Sequence, residues 1–143
     1  MEKVVLCVDD DADSVFLLKR AMDKAEPVCS MRVASDGQIA IDYFKGSGRF
    51  EDREAYPLPS LVLLDLKLPE VPGLHVLQWI RSEAGLMVPV VILSSSQDKV
   101  DISTAYKLGA NAYLVKPSDM DQMLEMAKMI AGFWLRQNTL PPR

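Results

Sequence analysis

The sequence predicts an open α/β sheet covered by helices on both faces, and three features carry that expectation. Short apolar runs rich in Val, Ile and Leu recur five times along the chain, most of them continuous. A strand that is apolar on both sides is buried on both sides, as in a parallel sheet. Amphipathic helical patterns separate each run from the next, giving five strands and five helices in alternation. Several runs also end on a charged or hydroxyl residue, which puts polar chemistry at the carboxyl ends of strands.

The first run, Val4–Val8, leads into Asp9, Asp10 and Asp11. Asp11 or Asp13 caps a helix to about Ala25, with Val15, Leu18 and Met22 on one face. A second strand follows at Cys29–Ala34. Ser35 or Asp36 then opens a helix whose apolar side carries Ile39, Ala40, Tyr43 and Phe44. Residues 46–59 read as a long surface loop, either a partner surface or a decorated connection. The third strand, Leu61–Leu64, closes on Asp65, and a helix follows from about Leu74 to Arg81. The fourth strand, Val90–Leu93, ends on Ser94-Ser95-Ser96; its helix runs from about Val100 to Leu108 and stops at Gly109. The fifth strand, Ala112–Val115, leads to Lys116-Pro117, and Ser118 or Asp119 caps a last helix reaching about Arg136. Right-handed crossovers restrict the topology, and the expected one is the flavodoxin-like (βα)5 fold with strand order 2-1-3-4-5. Sites in such a sheet form between the first and third strands, where Asp9, Asp10 and Asp65 fall.

The 143 residues read as one domain, 1–143. A net charge of −4 and no Lys/Arg cluster argue against nucleic acid as a direct partner. No apolar stretch approaches the roughly 18 residues of a membrane span, and no basic-then-apolar leader marks export. The expected location is cytoplasmic, with Cys7 and Cys29 reduced rather than joined. A single histidine, His75, leaves little room for zinc sites or histidine-based catalytic triads.

Carboxylates gathered at strand ends repel one another when desolvated, so a positive group is expected among them. Oxygen ligands and an incomplete protein shell point to Mg²⁺ held by one or two carboxylates plus water. Each carboxylate taken singly could equally be a helix cap. The Asp pair, the single Asp65, the Ser94 hydroxyl and the Lys116 ammonium at successive strand ends are harder to explain that way. An EF-hand reading of Asp9, Asp11 and Asp13 fails, because Ser14 and Arg20 replace the needed Gly and Glu. A flavin site fails too, since three carboxylates would repel the flavin phosphate. A haloacid-dehalogenase-type phosphatase matches Asp9 and Asp11 but leaves Asp65 unexplained.

Taken in order, five motifs resemble the receiver domain of two-component response regulators. They are Val8-Asp9-Asp10-Asp11, Leu63-Leu64-Asp65-Leu66-Lys67-Leu68-Pro69 with Gly73, Leu93-Ser94-Ser95, the run Leu108–Val115, and Lys116-Pro117. The resemblance implies that Asp65 is the phosphoacceptor for a sensor histidine kinase. It implies that Asp10, Asp65 and the backbone carbonyl of Lys67 coordinate Mg²⁺, with Asp9 acting through a water. Lys116 would pair with Asp65 and then with the phosphoryl group, and Ser94 would donate to another phosphoryl oxygen. Ser94 and Tyr113 would form the switch, Tyr113 turning inward as Ser94 is drawn toward the new charge. A cis Lys116–Pro117 bond is likewise implied by the resemblance. The family's usual Asp-Gly ahead of the third helix is Pro72-Gly73 here, which stiffens that turn.

Arg53, Tyr56-Pro57-Leu58-Pro59 and the ending Phe133–Asn138 look similar to small receivers paired with phytochrome-type histidine kinases. Only residues 138–143 follow the last helix, so no fused output domain is expected and the signal would pass by association. On that helix Met123, Ala127, Ile130 and Trp134 share the core face, with Met126, Met129 and Phe133 beside it. A second apolar stripe predicts a homodimer through the last helix and its neighbouring strand or fourth helix.

Overall fold

Strands β1 (Lys3–Val8), β2 (Cys29–Ala34), β3 (Leu61–Leu64), β4 (Val90–Ser94) and β5 (Ala112–Val115) form one parallel sheet in the order β2-β1-β3-β4-β5. This computed structural model describes residues 3–27 and 29–142. Met1, Glu2, Val28 and Arg143 of the 1–143 reading lie outside the described residues. Helices α1 (Ala12–Ala25), α2 (Gly37–Lys45), α3 (Gly73–Gln78), α4 (Lys99–Lys107) and α5 (Met120–Ile130) alternate with the strands. Wider π-helical segments, Trp79–Glu83 and Ala131–Gln137, prolong α3 and α5.

Alternation along each strand divides the core into two layers. Val5, Cys7, Leu61, Leu63, Val91 and Leu93 face α1 and α5; Leu6, Val8, Val62, Leu64 and Ile92 face α2, α3 and α4. Asp11 is the α1 cap, its carboxylate accepting from the backbone N–H of Asp13 and Ser14, and Asp36 and Asp119 cap α2 and α5 in the same way. Among the described helices none is long and apolar enough to cross a membrane.

The face of the last helix differs from the heptad-like expectation. Met123, Ala127 and Ile130 are buried as expected, but Leu135 completes the stripe while Trp134 is only half-buried. The π-helical stretch explains the shift, because its i→i+5 spacing carries the inward position from Ile130 to Leu135 rather than to Trp134.

The connection over residues 46–59 packs on its own helix. Arg53 donates to the carbonyls of Tyr43 (2.8 Å), Phe44 (2.6 Å) and Tyr56 (3.1 Å), and the Tyr43 hydroxyl donates to the Pro57 carbonyl at 2.7 Å. Tyr43, Phe50 and Tyr56 form an aromatic cluster beneath it, with ring centroids 5.0–6.1 Å apart. The connection is thus anchored to its own helix by side-chain hydrogen bonds and ring contacts. A second arginine, Arg81, spends its fork on the carbonyls of Gly109, Leu86 and Val88 and on the Asn111 side chain, all within 3.0 Å. The Asn111 carbonyl oxygen also accepts from Val90 N–H, so Arg81 ties the ends of β4 and β5 to α3.

Candidate functional site

Strand register assembles the site. Val8 pairs with Leu64 and Leu64 with Ile92, so the residues that follow, Asp9 and Asp65, leave adjacent strand ends together. Ser94 pairs with Val115, which sets Lys116 beside it, and the Lys116 N–H donates to the Ser94 carbonyl at 2.9 Å. Asp9, Asp65 and Ser94 are buried, the carboxylates at 5 % and 6 % exposure, whereas Asp10 is open to solvent. Carboxylate oxygens of Asp9, Asp10 and Asp65 all lie within 4.8 Å of one another.

The Lys116 ammonium sits 2.8 Å from Asp9 Oδ2 and 2.9 Å from Asp65 Oδ2. The other oxygens have backbone partners: Asp11 N–H donates to Asp9 Oδ1 at 2.9 Å and Lys67 N–H to Asp65 Oδ1 at 3.2 Å. One ammonium against three carboxylates leaves the cluster negative. Burial pushes the Asp9 carboxyl above its ordinary range, and the Lys116 hydrogen bond only partly opposes this. Burial by itself would lower Lys116, but its hydrogen bonds to Asp9 and Asp65 outweigh that and raise it. Beneath them the Cys7 thiol is pushed up to about 12, by burial first and the Asp9 charge next. It is an inert core group at neutral pH.

These directions give a stability prediction with a definite sign. A raised folded-state pKa means that the folded protein holds the Asp9 proton more tightly than the unfolded chain does. Asp9 therefore favours folding in acid and loses that contribution as pH rises through its folded value. Lys116 stabilises across the acid and neutral range and loses its contribution only as pH climbs past the ordinary lysine value. In the presence of a chelator, Asp9→Asn should unfold at higher urea than the native chain at neutral pH, and the advantage should shrink toward about pH 4. An unchanged or lowered midpoint at neutral pH contradicts this balance of charges.

The excess negative charge and all-oxygen donor set suit a hard divalent cation such as Mg²⁺ and not a nitrogen–sulfur metal site. Gly73 protects the geometry from below: a Cβ there would overlap the Asp65 carbonyl oxygen and come within 2.7 Å of Leu66 Cα. The Pro72 carbonyl accepts from His75 and Val76 N–H and starts α3 without a side-chain cap. Glu70, in the same loop, has φ 61°, a left-handed conformation uncommon for a residue with a Cβ.

Ser94 is wholly buried, and its Oγ accepts from Ser96 N–H at 3.2 Å. Tyr113 is half-buried against the α2–α4 side of the core, and its hydroxyl donates to the Ser96 carbonyl at 2.8 Å. No cis peptide bond occurs among the described residues, so Lys116–Pro117 is trans, the isomer that even proline prefers by about 0.5–1 kcal/mol. Ser14 enters the site unannounced by any motif. Its hydroxyl takes a third Lys116 hydrogen bond at 3.4 Å and donates to Asp11 at 3.2 Å. The available signal was helical spacing, which turns the first turn of α1 toward the strand ends.

The sequence pattern of response regulator receiver domains matches residues 5–128. The chain belongs to the response regulator receiver family. The response regulator Rcp1 of Synechocystis sp. is 32% identical to this receiver over 140 residues, which covers 97% of the chain and 93% of Rcp1. The phosphorylated cyanobacterial phytochrome response regulator RcpA superposes with a TM-score of 0.91 at 32% identity, over 99% of this receiver and all (100%) of that chain. The Mn²⁺-bound form of Rcp1 superposes with a TM-score of 0.86 at 32% identity, over 98% and 99%. This receiver thus works in two-component phosphorelay signalling, as a regulator, with the acidic pocket that receivers use for Mg²⁺ or Mn²⁺.

Proposed function

We propose that this receiver is cytoplasmic and accepts a phosphoryl group on Asp65 from a phosphohistidine of a sensor histidine kinase. The observation that carries this reading is the buried Asp65 carboxylate held 2.9 Å from Lys116, with Asp9 and Asp10 oxygens within 4.8 Å. An Asp65 carboxylate oxygen attacks phosphorus while the bond to the imidazole nitrogen breaks, and the imidazole keeps the electron pair. A carboxylate nucleophile needs no general base to attack phosphorus. Transfer of this kind rests on positioning and charge neutralisation. Asp9, Asp10, Asp65 and the Lys67 backbone carbonyl are the groups that would hold Mg²⁺. The bound ion supplies positive charge against the phosphoryl oxygens.

Lys116 keeps the nucleophile oriented and then meets the phosphoryl oxygen that replaces the carboxylate charge. Ser94, a short distance along the neighbouring strand end, donates to a second oxygen and is drawn toward it. Tyr113, tied to the same loop through Ser96, registers that movement, so that Ser94 and Tyr113 form the switch. The incubation that tests the reading pairs acetyl phosphate with Mg²⁺ and follows the intact mass. Gain of one phosphoryl group, suppressed by a chelator, is the expected result; gain that is indifferent to the chelator, or none at all, contradicts it.

The similarity to RcpA, a phytochrome response regulator, favours a phytochrome-type kinase as the donor. Exposed Phe16 and Leu17 on α1, the helix that follows the Asp9–Asp11 run, offer that kinase an apolar landing. The pI near 5.0 and a sequence without a Lys/Arg cluster weigh against nucleic acid as a partner. A homodimer through α5 and its neighbours is part of the same reading. Met129 and Phe133 are 66 % and 54 % exposed, and Val115, Val100 and Tyr106 extend the apolar surface across β5 and α4. Sedimentation of the native chain should show a dimer that Met129→Glu with Phe133→Glu converts to monomer. A strictly monomeric native chain, phosphorylated or not, would remove the dimer from the account.

A further inference from the structure

One residue of the β4–α4 connection has all its polar groups committed, each to a different part of the molecule. The Ser96 N–H donates to Ser94 Oγ at 3.2 Å, and its carbonyl accepts from the Tyr113 hydroxyl at 2.8 Å. Its own hydroxyl donates to Asp101 Oδ2 at 2.6 Å and accepts from Asp98 N–H at 3.3 Å. Asp98 is the α4 cap, accepting from Val100 N–H at 2.9 Å, and Asp101 lies in the first turn of that helix. The backbone of Ser96 therefore holds the two switch residues, and its side chain holds the start of α4.

We infer that Ser96 is a positioning residue that transmits the state of Ser94 and Tyr113 to the first turn of α4 through its hydroxyl. The inference rests on the phosphoacceptor reading of Asp65. A hydroxyl has one donor and two acceptor lone pairs. Ser94 can thus donate to a phosphoryl oxygen while still accepting from Ser96 N–H, and any inward movement of Ser94 draws Ser96 with it. The 2.6 Å bond is short and charge-assisted, stronger than a neutral pair. Asp101 and the Asp98 cap must follow Ser96 or give up that bond. Gln97, the next residue, borders the groove lined by Val115, Pro117, Met126 and Met129, so movement of this segment alters the surface proposed for association. Ser95, exposed and without such bonds, has no comparable part.

Ser96→Ala removes the side-chain links and leaves both backbone links intact. Amide hydrogen exchange of Lys99–Ile102 is measured in the native chain, Ser96→Ala, Asp101→Ala and Ser96→Thr, each with and without acetyl phosphate and Mg²⁺. Phosphate uptake is read by mass in the same samples. The expected result is equal uptake by all four, with a phosphorylation-dependent change in α4 protection in the native chain and Ser96→Thr that is lost in Ser96→Ala and Asp101→Ala. A merely structural hydroxyl would shift protection alike in both states and leave the difference between them standing. Uptake with α4 unmoved in the native chain, or moved equally in Ser96→Ala, overturns the Ser96 role alone. Absence of uptake in the native chain overturns the Asp65 reading and this role with it.

Discussion

Asp65→Asn should take up no phosphate from acetyl phosphate and Mg²⁺ while the native chain gains one phosphoryl group. The substitution preserves shape and the hydrogen bond from Lys67 N–H but replaces the nucleophilic carboxylate oxygen with an amide. It also removes one of the three charges that gather within 4.8 Å, so the effect is on chemistry more than on folding. Lys116, left with Asp9 at 2.8 Å, keeps a partner, and the fold should if anything become more stable without metal. The check is the intact mass of both proteins after the same incubation, with urea unfolding run alongside. Uptake by Asp65→Asn at the native rate would mean that another side chain is modified.

Lys116→Ala should act on chemistry and stability together. Removing a preorganised cationic donor from a phosphoryl-transfer site slows transfer by about 10²–10³-fold, by comparison with loss of one oxyanion-stabilising group. The same change strands Asp9 and Asp65, both almost wholly buried, without their shared counter-charge. Breaking a buried pair from one side costs roughly 3–5 kcal/mol. Asp9 already sits above the ordinary carboxyl range and moves further up once the ammonium is gone. Part of the lost stability should therefore return as pH is lowered or Mg²⁺ is added. Time courses of phosphate uptake and urea midpoints at two pH values read both effects. A Lys116→Ala protein that is phosphorylated at the native rate, or is as stable as the native chain without metal at neutral pH, contradicts the assigned role.

Strand positions and their order were legible because a parallel sheet buries both faces, so Val4–Val8, Leu61–Leu64 and Val90–Leu93 stand out as continuous apolar runs. Asp9, Asp10, Asp65, Ser94 and Lys116 were legible for a related reason: each ends such a run, where a polar residue marks the edge of the sheet. Other features depend on tertiary context. Leu135 in place of Trp134 on the buried face follows from a π-helical widening that no local propensity signals. Arg53 and Arg81 look like surface charges in the sequence, yet each is consumed by carbonyls from several segments. Ser14 and Ser96 carry no motif, and their importance lies in hydrogen bonds to residues distant in sequence or across a turn. The acceptor of the half-buried Tyr113 phenol, the Ser96 carbonyl, lies on the β4–α4 connection, where no motif points to it.

The site of modification is the most direct measurement of all. Borohydride reduces an aspartyl phosphate to homoserine, so reduction after acetyl phosphate treatment, followed by peptide mass spectrometry, marks the residue that carried the phosphoryl group. Homoserine at position 65 alone is the predicted outcome; homoserine at Asp9, Asp10 or Asp11, or none despite a gain in intact mass, would contradict the account.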